Sequence, residues 1–298
     1  MMTLFAIVIV GYVAGKLEYL GGDFDRQLSR LVINLTCPAL ILSSAMTGEL
    51  PDREYILPLL LVSVITYAVL AAVAFLLPRY LTKKKTDEGA VGFALMFGNV
   101  GFMGYPVVAS IFGHEAVFYA AVLNVVNTFA VFTVGTILIT GKQVEGGRFQ
   151  KKVLYSTPML SAYLTMLIVA LRIEGIPQYV SQPLTMIGNI TVPAALLIIG
   201  SSMSNLPLRA LLGNATVYAT TLFRLFLLPI GVYYLCSALG FSSFVVSINT
   251  VVIAMPVATY GTILCLKYGK DTTMITETTF ITTLVSMITI PLLVSFLL

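Results

Sequence analysis

Two asparagines each stand seven residues ahead of a proline in otherwise apolar tracts, Asn99 before Pro106 and Asn249 before Pro256. A side-chain amide offers two N–H donors and a carbonyl acceptor, so such a pair could hold a carboxylate or a phosphate without itself carrying charge. Around the first runs Gly98-Asn99-Val100-Gly101-Phe102-Met103-Gly104-Tyr105-Pro106, with three glycines and a proline. Glycine weakens a helix interior by about 1 kcal/mol, and proline removes a donor and strikes the preceding turn, so a break is expected between Asn99 and Pro106. Backbone opened inside a bilayer is tolerated where it lines a cavity. Proline suits the first turn of a helix, so Pro106 and Pro256 are each expected to start a second half-helix. Helix N-termini carry about half a positive elementary charge and free N–H groups, which favour an anion. On this reading Asn99, Gly101, Gly104, Pro106, Asn249 and Pro256 form a substrate site. The alternative is that each asparagine caps its own broken helix. The ninth span has no glycines matching Gly98, Gly101 and Gly104, so it is expected to kink at Pro256 more than to unwind.

Other polar residues fall inside the same kind of tract. Arg224 is the one charge between Ala210 and Leu266, and an arginine at mid-membrane costs about 2.5–3.5 kcal/mol on insertion scales, so it must face protein. It is either an anion-attracting charge or a bracket bonded to carbonyls freed at the breaks. Asn124, Asn127 and Thr128 share a helix face at i, i+3, i+4. They could offer oxygens to sodium, or tie helices together, the commoner use of such residues in bundles. Glu277, among threonines, is either a proton or sodium site or an interfacial carboxylate. His114, the single histidine, is given no role. No HExxH, G-x-S-x-G, central aspartate pair or Cys/His cluster is present, so an intramembrane enzyme, a resident metal and an organic cofactor are not expected.

The elements that would position these residues are membrane helices. Apolar residues make up 58% and charged ones 10% of the 298, far from the roughly quarter charged of a soluble domain. Charge-free tracts near the roughly 20 residues needed to span the hydrocarbon recur along the chain. They predict ten helices, at about 2–17, 27–47, 54–78, 89–112, 115–140, 153–172, 179–203, 210–238, 243–267 and 272–297. Loops numbered in order divide the basic residues unequally: fourteen of the seventeen lie in odd loops, and only Arg53 and Arg172 in even ones. The positive-inside rule then places odd loops in the cytoplasm and both termini outside a multi-pass cell-membrane protein. The net charge of +4 is thus a topology signal and implies no nucleic-acid partner. Met1 to Val10 reads as the first span and not a signal peptide, having no basic n-region. Cys37, Cys236 and Cys265 all fall in spans with no paired spacing, which argues against a disulfide framework.

Asn34-Leu35-Thr36-Cys37-Pro38-Ala39 returns as Asn189-Ile190-Thr191-Val192-Pro193-Ala194 at an offset of 155, and the Asn99 to Pro106 spacing returns at an offset of 150. Spans two and four therefore correspond to seven and nine. The repeat unit is five helices, and an odd number of crossings inverts the second copy. The expected fold is all-α, with two inverted five-helix repeats whose broken helices 4 and 9 cross, an arrangement used by secondary transporters. Domain boundaries follow at 1–140, a cytoplasmic linker at 141–152, and 153–298.

The glycine-rich run at 98–106, Pro38-Ala39-Leu40-Ile41-Leu42-Ser43-Ser44, Arg224 ahead of Pro229, and Met255-Pro256-Val257-Ala258 before Tyr268-Gly269 together resemble the auxin efflux carrier family in its compact bacterial form. The resemblance covers nearly the whole chain. It implies a fold related to bile acid sodium symporters, with scaffold helices 1, 2, 6 and 7, transport helices 3–5 and 8–10, a homodimer through the scaffold, and Asn99 touching a substrate carboxylate. The expected function is a secondary transporter of a small organic anion, auxin-like or dicarboxylate, with elevator-type alternating access and coupling to sodium or protons or neither. A transporter-like sensor or channel in the lipid bilayer is the other reading.

Overall fold

The computed structural model describes residues 2–46, 50–141, 155–204 and 214–297. In chain order it holds α1 (Met2–Lys16), α2 (Gly22–Leu31), α3 (Cys37–Ser43), α4 (Ile56–Leu76), α5 (Pro78–Leu81), α6 (Glu88–Met96), α7 (Tyr105–Phe112), α8 (Ala116–Ala130) and α9 (Thr136–Thr140). There follow α10 (Thr157–Ala170), α11 (Gln178–Asn189), α12 (Thr191–Ser204), α13 (Ala215–Leu222), α14 (Leu228–Ala238), α15 (Ser243–Ile253), α16 (Tyr260–Lys267) and α17 (Thr273–Leu297). Among the described residues, five continuous helical stretches are long and apolar enough to cross a membrane: Arg53–Leu76, Ala116–Thr140, Gln178–Ser204, Ala215–Ala238 and Thr273–Leu297. Shorter apolar helices such as Val100–Phe112 and Ser243–Ile253 accompany them. The protein is a helical membrane protein. The expected linker at 141–152 lies, but for Gly141, outside the described residues, as do Lys142, Arg148, Lys151, Lys152 and Arg209 of the odd loops.

Prolines explain much of the local helix geometry. Among the described residues π-helical turns occupy Val32–Thr36, Val100–Gly104, Val131–Gly135 and Phe223–Leu227. Three of them end two residues before a proline, Pro38, Pro106 and Pro229. A proline ring clashes with the carbonyl four residues back and supplies no N–H to it. Adding one residue to the preceding turn moves that carbonyl aside and lets the helix continue. Elsewhere short polar side chains set the helix starts: Asn214 accepts the Val217 N–H at 3.1 Å ahead of α13, and Ser242 accepts that of Val245 at 3.5 Å ahead of α15, as N-cap residues do.

The chain divides into two compact units. The first comprises 1–57, 100–125 and 152–206. Here α1 lies against α12 with the backbones in contact. A Cβ on Gly11 would strike the Leu197 carbonyl, and one on Gly200 the Val8 carbonyl, so small residues permit the approach, as is common where lipid supplies no hydrophobic drive. Val32, Ala194 and Ile198 form a buried cluster that Leu28 and Phe102 cover. Thr165 on α10 donates to its own Ser161 carbonyl at 2.7 Å and reaches the Ile41 carbonyl of α3 at 3.4 Å.

The second unit comprises 58–99, 126–151 and 207–298. Its core holds Phe93 and Phe97, with ring centroids 4.8 Å apart, and Tyr67 stacked on Phe97 at 6.3 Å. Threonines line α17, where Thr278, Thr279, Thr282 and Thr283 each donate to the carbonyl one turn back at 2.7 Å. Such bonds hide the hydroxyls from an apolar surround.

Candidate functional site in the second unit

The fourth predicted span opens at Phe97–Asn99, earlier than its sequence suggests. α6 ends at Met96, and Val100–Phe112 is helical throughout, its glycines taken up in the π turn. Gly101, Gly104 and Pro106 therefore lie within a helix and not in an opened loop. The reason is the one given above: the widened turn accommodates Pro106, so the glycines need not unwind. Pro106 does not start the half-helix, which begins six residues before it, at Val100.

The ninth span opens more widely than expected. α15 ends at Ile253 and α16 starts at Tyr260, so Pro256 lies in an extended link and does not begin the second half. This link is unwound, not merely kinked. Its backbone finds partners in the other break. Gly98 and Val257 form an antiparallel bridge, flanked by Asn99 N–H donating to the Pro256 carbonyl at 2.7 Å and Ala258 N–H to the Phe97 carbonyl at 3.0 Å. The Val257 N–H points instead to Thr282 Oγ1 on α17 at 3.1 Å. Buried backbone groups need such partners, and the two extended links supply them to each other.

Arg224 sits in the π turn Phe223–Leu227 with no exposed surface. Its Nε donates to the Met255 carbonyl and its Nη1 to the Leu95 carbonyl, both at 3.2 Å. The Leu95 carbonyl lies in the last turn of α6, just before the first break, and the Met255 carbonyl lies in the second, so the guanidinium clasps both. Of the two readings open in the sequence, the bracket describes its contacts. Nη2 has no partner among the described residues and lies where a Cβ on Gly98 would fall. Glycine at 98 is therefore a matter of space for the guanidinium. The one ion pair among the described residues is the exposed Asp23–Arg26 contact, so Arg224 is a buried charge with no carboxylate at bonding distance.

The two asparagines differ in their surroundings. Asn99 is half-buried in the break, and its side-chain amide takes part in no hydrogen bond among the described residues. Asn249 lies four residues before the end of α15, is 1% exposed, and donates to Thr66 Oγ1 at 3.0 Å and Cys236 Sγ at 3.8 Å. It ties α15 to α4 and α14. Neither side chain caps a helix.

The remaining candidates are dispersed. Asn124 donates to the Tyr105 hydroxyl at 2.8 Å within the first unit, whereas Asn127 accepts from the Tyr67 hydroxyl at 2.8 Å within the second. These are bonds between helices. Thr128 is half-buried on α8, and Glu277 is half-buried in the second turn of α17. His114, in the turn before α8, lies 3.0 Å from Ser43 Oγ, and burial holds its pKa below the ordinary imidazole value while the Glu115 carboxylate pulls the other way. No group of three or more His, Cys, Asp or Glu side chains is placed to hold a metal ion among the described residues. Sequence reasoning missed Thr66, Tyr67 and Thr282. The i, i+4 run of threonines on α17 was the available signal for Thr282, while Thr66 and Tyr67 had none.

A model of the family described as membrane transport protein matches residues 1–153 and 148–294. An uncharacterised transporter of Methanothermobacter thermautotrophicus is 26% identical over 98% of this chain and 95% of its own length. One from Methanocaldococcus jannaschii is 25% identical over 98% and 96%. A Rhizobium meliloti protein described as a candidate malonate transporter is 24% identical over 97% and 92%. With the matched stretches running over nearly its whole length, the chain belongs to the membrane transport protein family, that of the auxin efflux carriers.

Proposed function

We propose that this protein is a secondary carrier of a small organic anion and that the amide of Asn99 binds the anion's carboxylate. The observation that carries the reading is the open Asn99 side chain beside a backbone held rigid by the Gly98–Val257 bridge and the Arg224 clasp. A polar group held without a partner in such a place is what a ligand-binding position requires, since preorganised donors cost little ordering when the ligand arrives. Arg224 adds a fixed positive potential that favours an anion in a medium of low dielectric. The name borne by the Rhizobium relative makes malonate the first dicarboxylate to try, beside auxin-like monocarboxylates. Ten spans in two inverted repeats, both termini outside, a scaffold of helices 1, 2, 6 and 7, a homodimer and elevator-type movement complete the proposal. Coupling to sodium or protons is left to experiment.

Counterflow in proteoliposomes tests it. Vesicles loaded with unlabelled malonate or indole-3-acetate should take up the same labelled anion against its gradient. A channel or sensor would show no such exchange, and failure with a broad panel of carboxylates would overturn the carrier reading.

A further inference from the structure

On the second unit, α4, α5 and Leu77 between them present Val69, Ala72, Val73, Leu76, Leu77 and Tyr80 along one wall of a groove of about 570 Å³. Their spacing, i, i+3, i+4, i+7, i+8 and i+11, is a single helical stripe. Phe223 and Leu227, carried by the π turn that points Arg224 inward, form the opposite wall. Among the described residues of the lining, the Tyr80 hydroxyl is the one polar side-chain group. From Val69 to Leu77 the groove runs about 12 Å at 1.5 Å per residue, close to half the roughly 30 Å hydrocarbon thickness and so to the depth of one leaflet.

One end of this apolar slot is basic. The Arg79 guanidinium stands over the Tyr80 ring at 4.9 Å, and Lys83, Lys84 and Lys85 follow, all exposed. None of these four pairs with a carboxylate among the described residues. The nearby acids are otherwise placed: Asp87 and Glu88 lead into α6, and Asp271, which lies within the field of Lys84, is bonded to Thr273 N and Oγ1 at 2.9 and 2.7 Å. An acyl-length apolar groove ending in unpaired cations at the membrane surface is complementary to an anionic phospholipid. We infer that this groove is a binding site for one anionic phospholipid, an acyl chain lying along α4 and the phosphate held by Arg79 and Lys83–Lys85.

The site shares no residue with the proposed anion site and stands whether or not that reading does. The test uses the full-length protein reconstituted in vesicles of equal parts phosphatidylglycerol and phosphatidylcholine, extracted in mild detergent, with the lipids that stay bound weighed by native mass spectrometry. Phosphatidylglycerol should be enriched over phosphatidylcholine, and a Lys83→Gln, Lys84→Gln, Lys85→Gln variant should lose about tenfold or more of that preference while still retaining lipid. Ala72→Phe, at an exposed position that leaves the core alone, should lower retention of both lipids by filling the slot. Ten millimolar inorganic phosphate or glycerol phosphate (roughly, a screening concentration) should leave the enrichment in place. Equal retention of the two lipids by the unmodified protein would overturn the inference, as would full preference in the triple variant, unchanged retention by Ala72→Phe, or loss of enrichment in phosphate, which would mark a free-anion site.

Discussion

Asn99 precedes Pro106 and Asn249 precedes Pro256 by the same seven residues, yet the Asn249 amide is 1% exposed and bonded to Thr66 and Cys236, whereas the Asn99 amide is half-buried and open. The cause is where each helix breaks. The fourth span opens before its glycine run, at Phe97–Asn99, and leaves Asn99 in the extended link. The ninth opens after Ile253, so Asn249 stays inside α15 with its backbone satisfied and its side chain desolvated. A desolvated amide must find partners or cost roughly 1–3 kcal/mol. Equal spacing in sequence thus yields a tie between helices on one side and an open amide on the other.

The largest effect on stability should come from removing what holds both breaks. Arg224→Met leaves the Leu95 and Met255 carbonyls buried without donors, a loss of roughly 2–5 kcal/mol, to be read as the unfolding midpoint of detergent-purified protein. An unchanged midpoint would mean that the clasp is dispensable. Gly98→Ala should cost roughly 1–3 kcal/mol by overpacking against the guanidinium. That penalty should largely vanish in an Arg224→Met background, because the two changes share one space; simple additivity would refute the steric reading of Gly98. Asn249→Ala should destabilise by about 1–2 kcal/mol with substrate affinity unchanged, and a double-mutant cycle with Thr66→Val should show coupling. A fall in affinity with no loss of stability would place Asn249 beside Asn99 as a ligand group.

A smaller effect concerns pH and lies apart from both breaks. Because the folded pKa of His114 is below its ordinary value, the unfolded chain binds more protons near that range, so stability is full above the usual imidazole value of about 6.5 and falls as pH drops through it. His114→Gln should flatten this dependence between about pH 5 and 7. A variant that keeps the full slope would assign it to another group.

The helical membrane class and the extents of the five long apolar helices were legible in the sequence, because charge-free length follows directly from what a bilayer excludes. That both marked spans are interrupted was legible from Gly and Pro. Where they open was not, since proline was read as a helix start when a π turn before Pro106 lets the helix pass through it. The isolated bridge of Gly98 with Val257 joins residues far apart in sequence, and nothing local in either stretch encodes the partner. Arg224 was visible as a buried charge with two possible uses, and only its distances to the Leu95 and Met255 carbonyls separate them. Asn124 and Asn127 share a helix face in sequence, yet they bond to tyrosines in different units, because neighbouring helices and not the face decide a buried amide's partner.

The most direct test is Asn99→Ala, measured for unfolding midpoint and for the dissociation constant of a carboxylate that shows counterflow, on one purified sample. The side chain makes no hydrogen bond among the described residues, so stability should change by less than about 0.5 kcal/mol. Loss of one charge-assisted hydrogen bond should weaken binding about ten- to a hundredfold. A variant that binds the anion as tightly as the unmodified protein, or one that unfolds appreciably earlier while keeping its affinity, would contradict the assignment of Asn99 to the substrate.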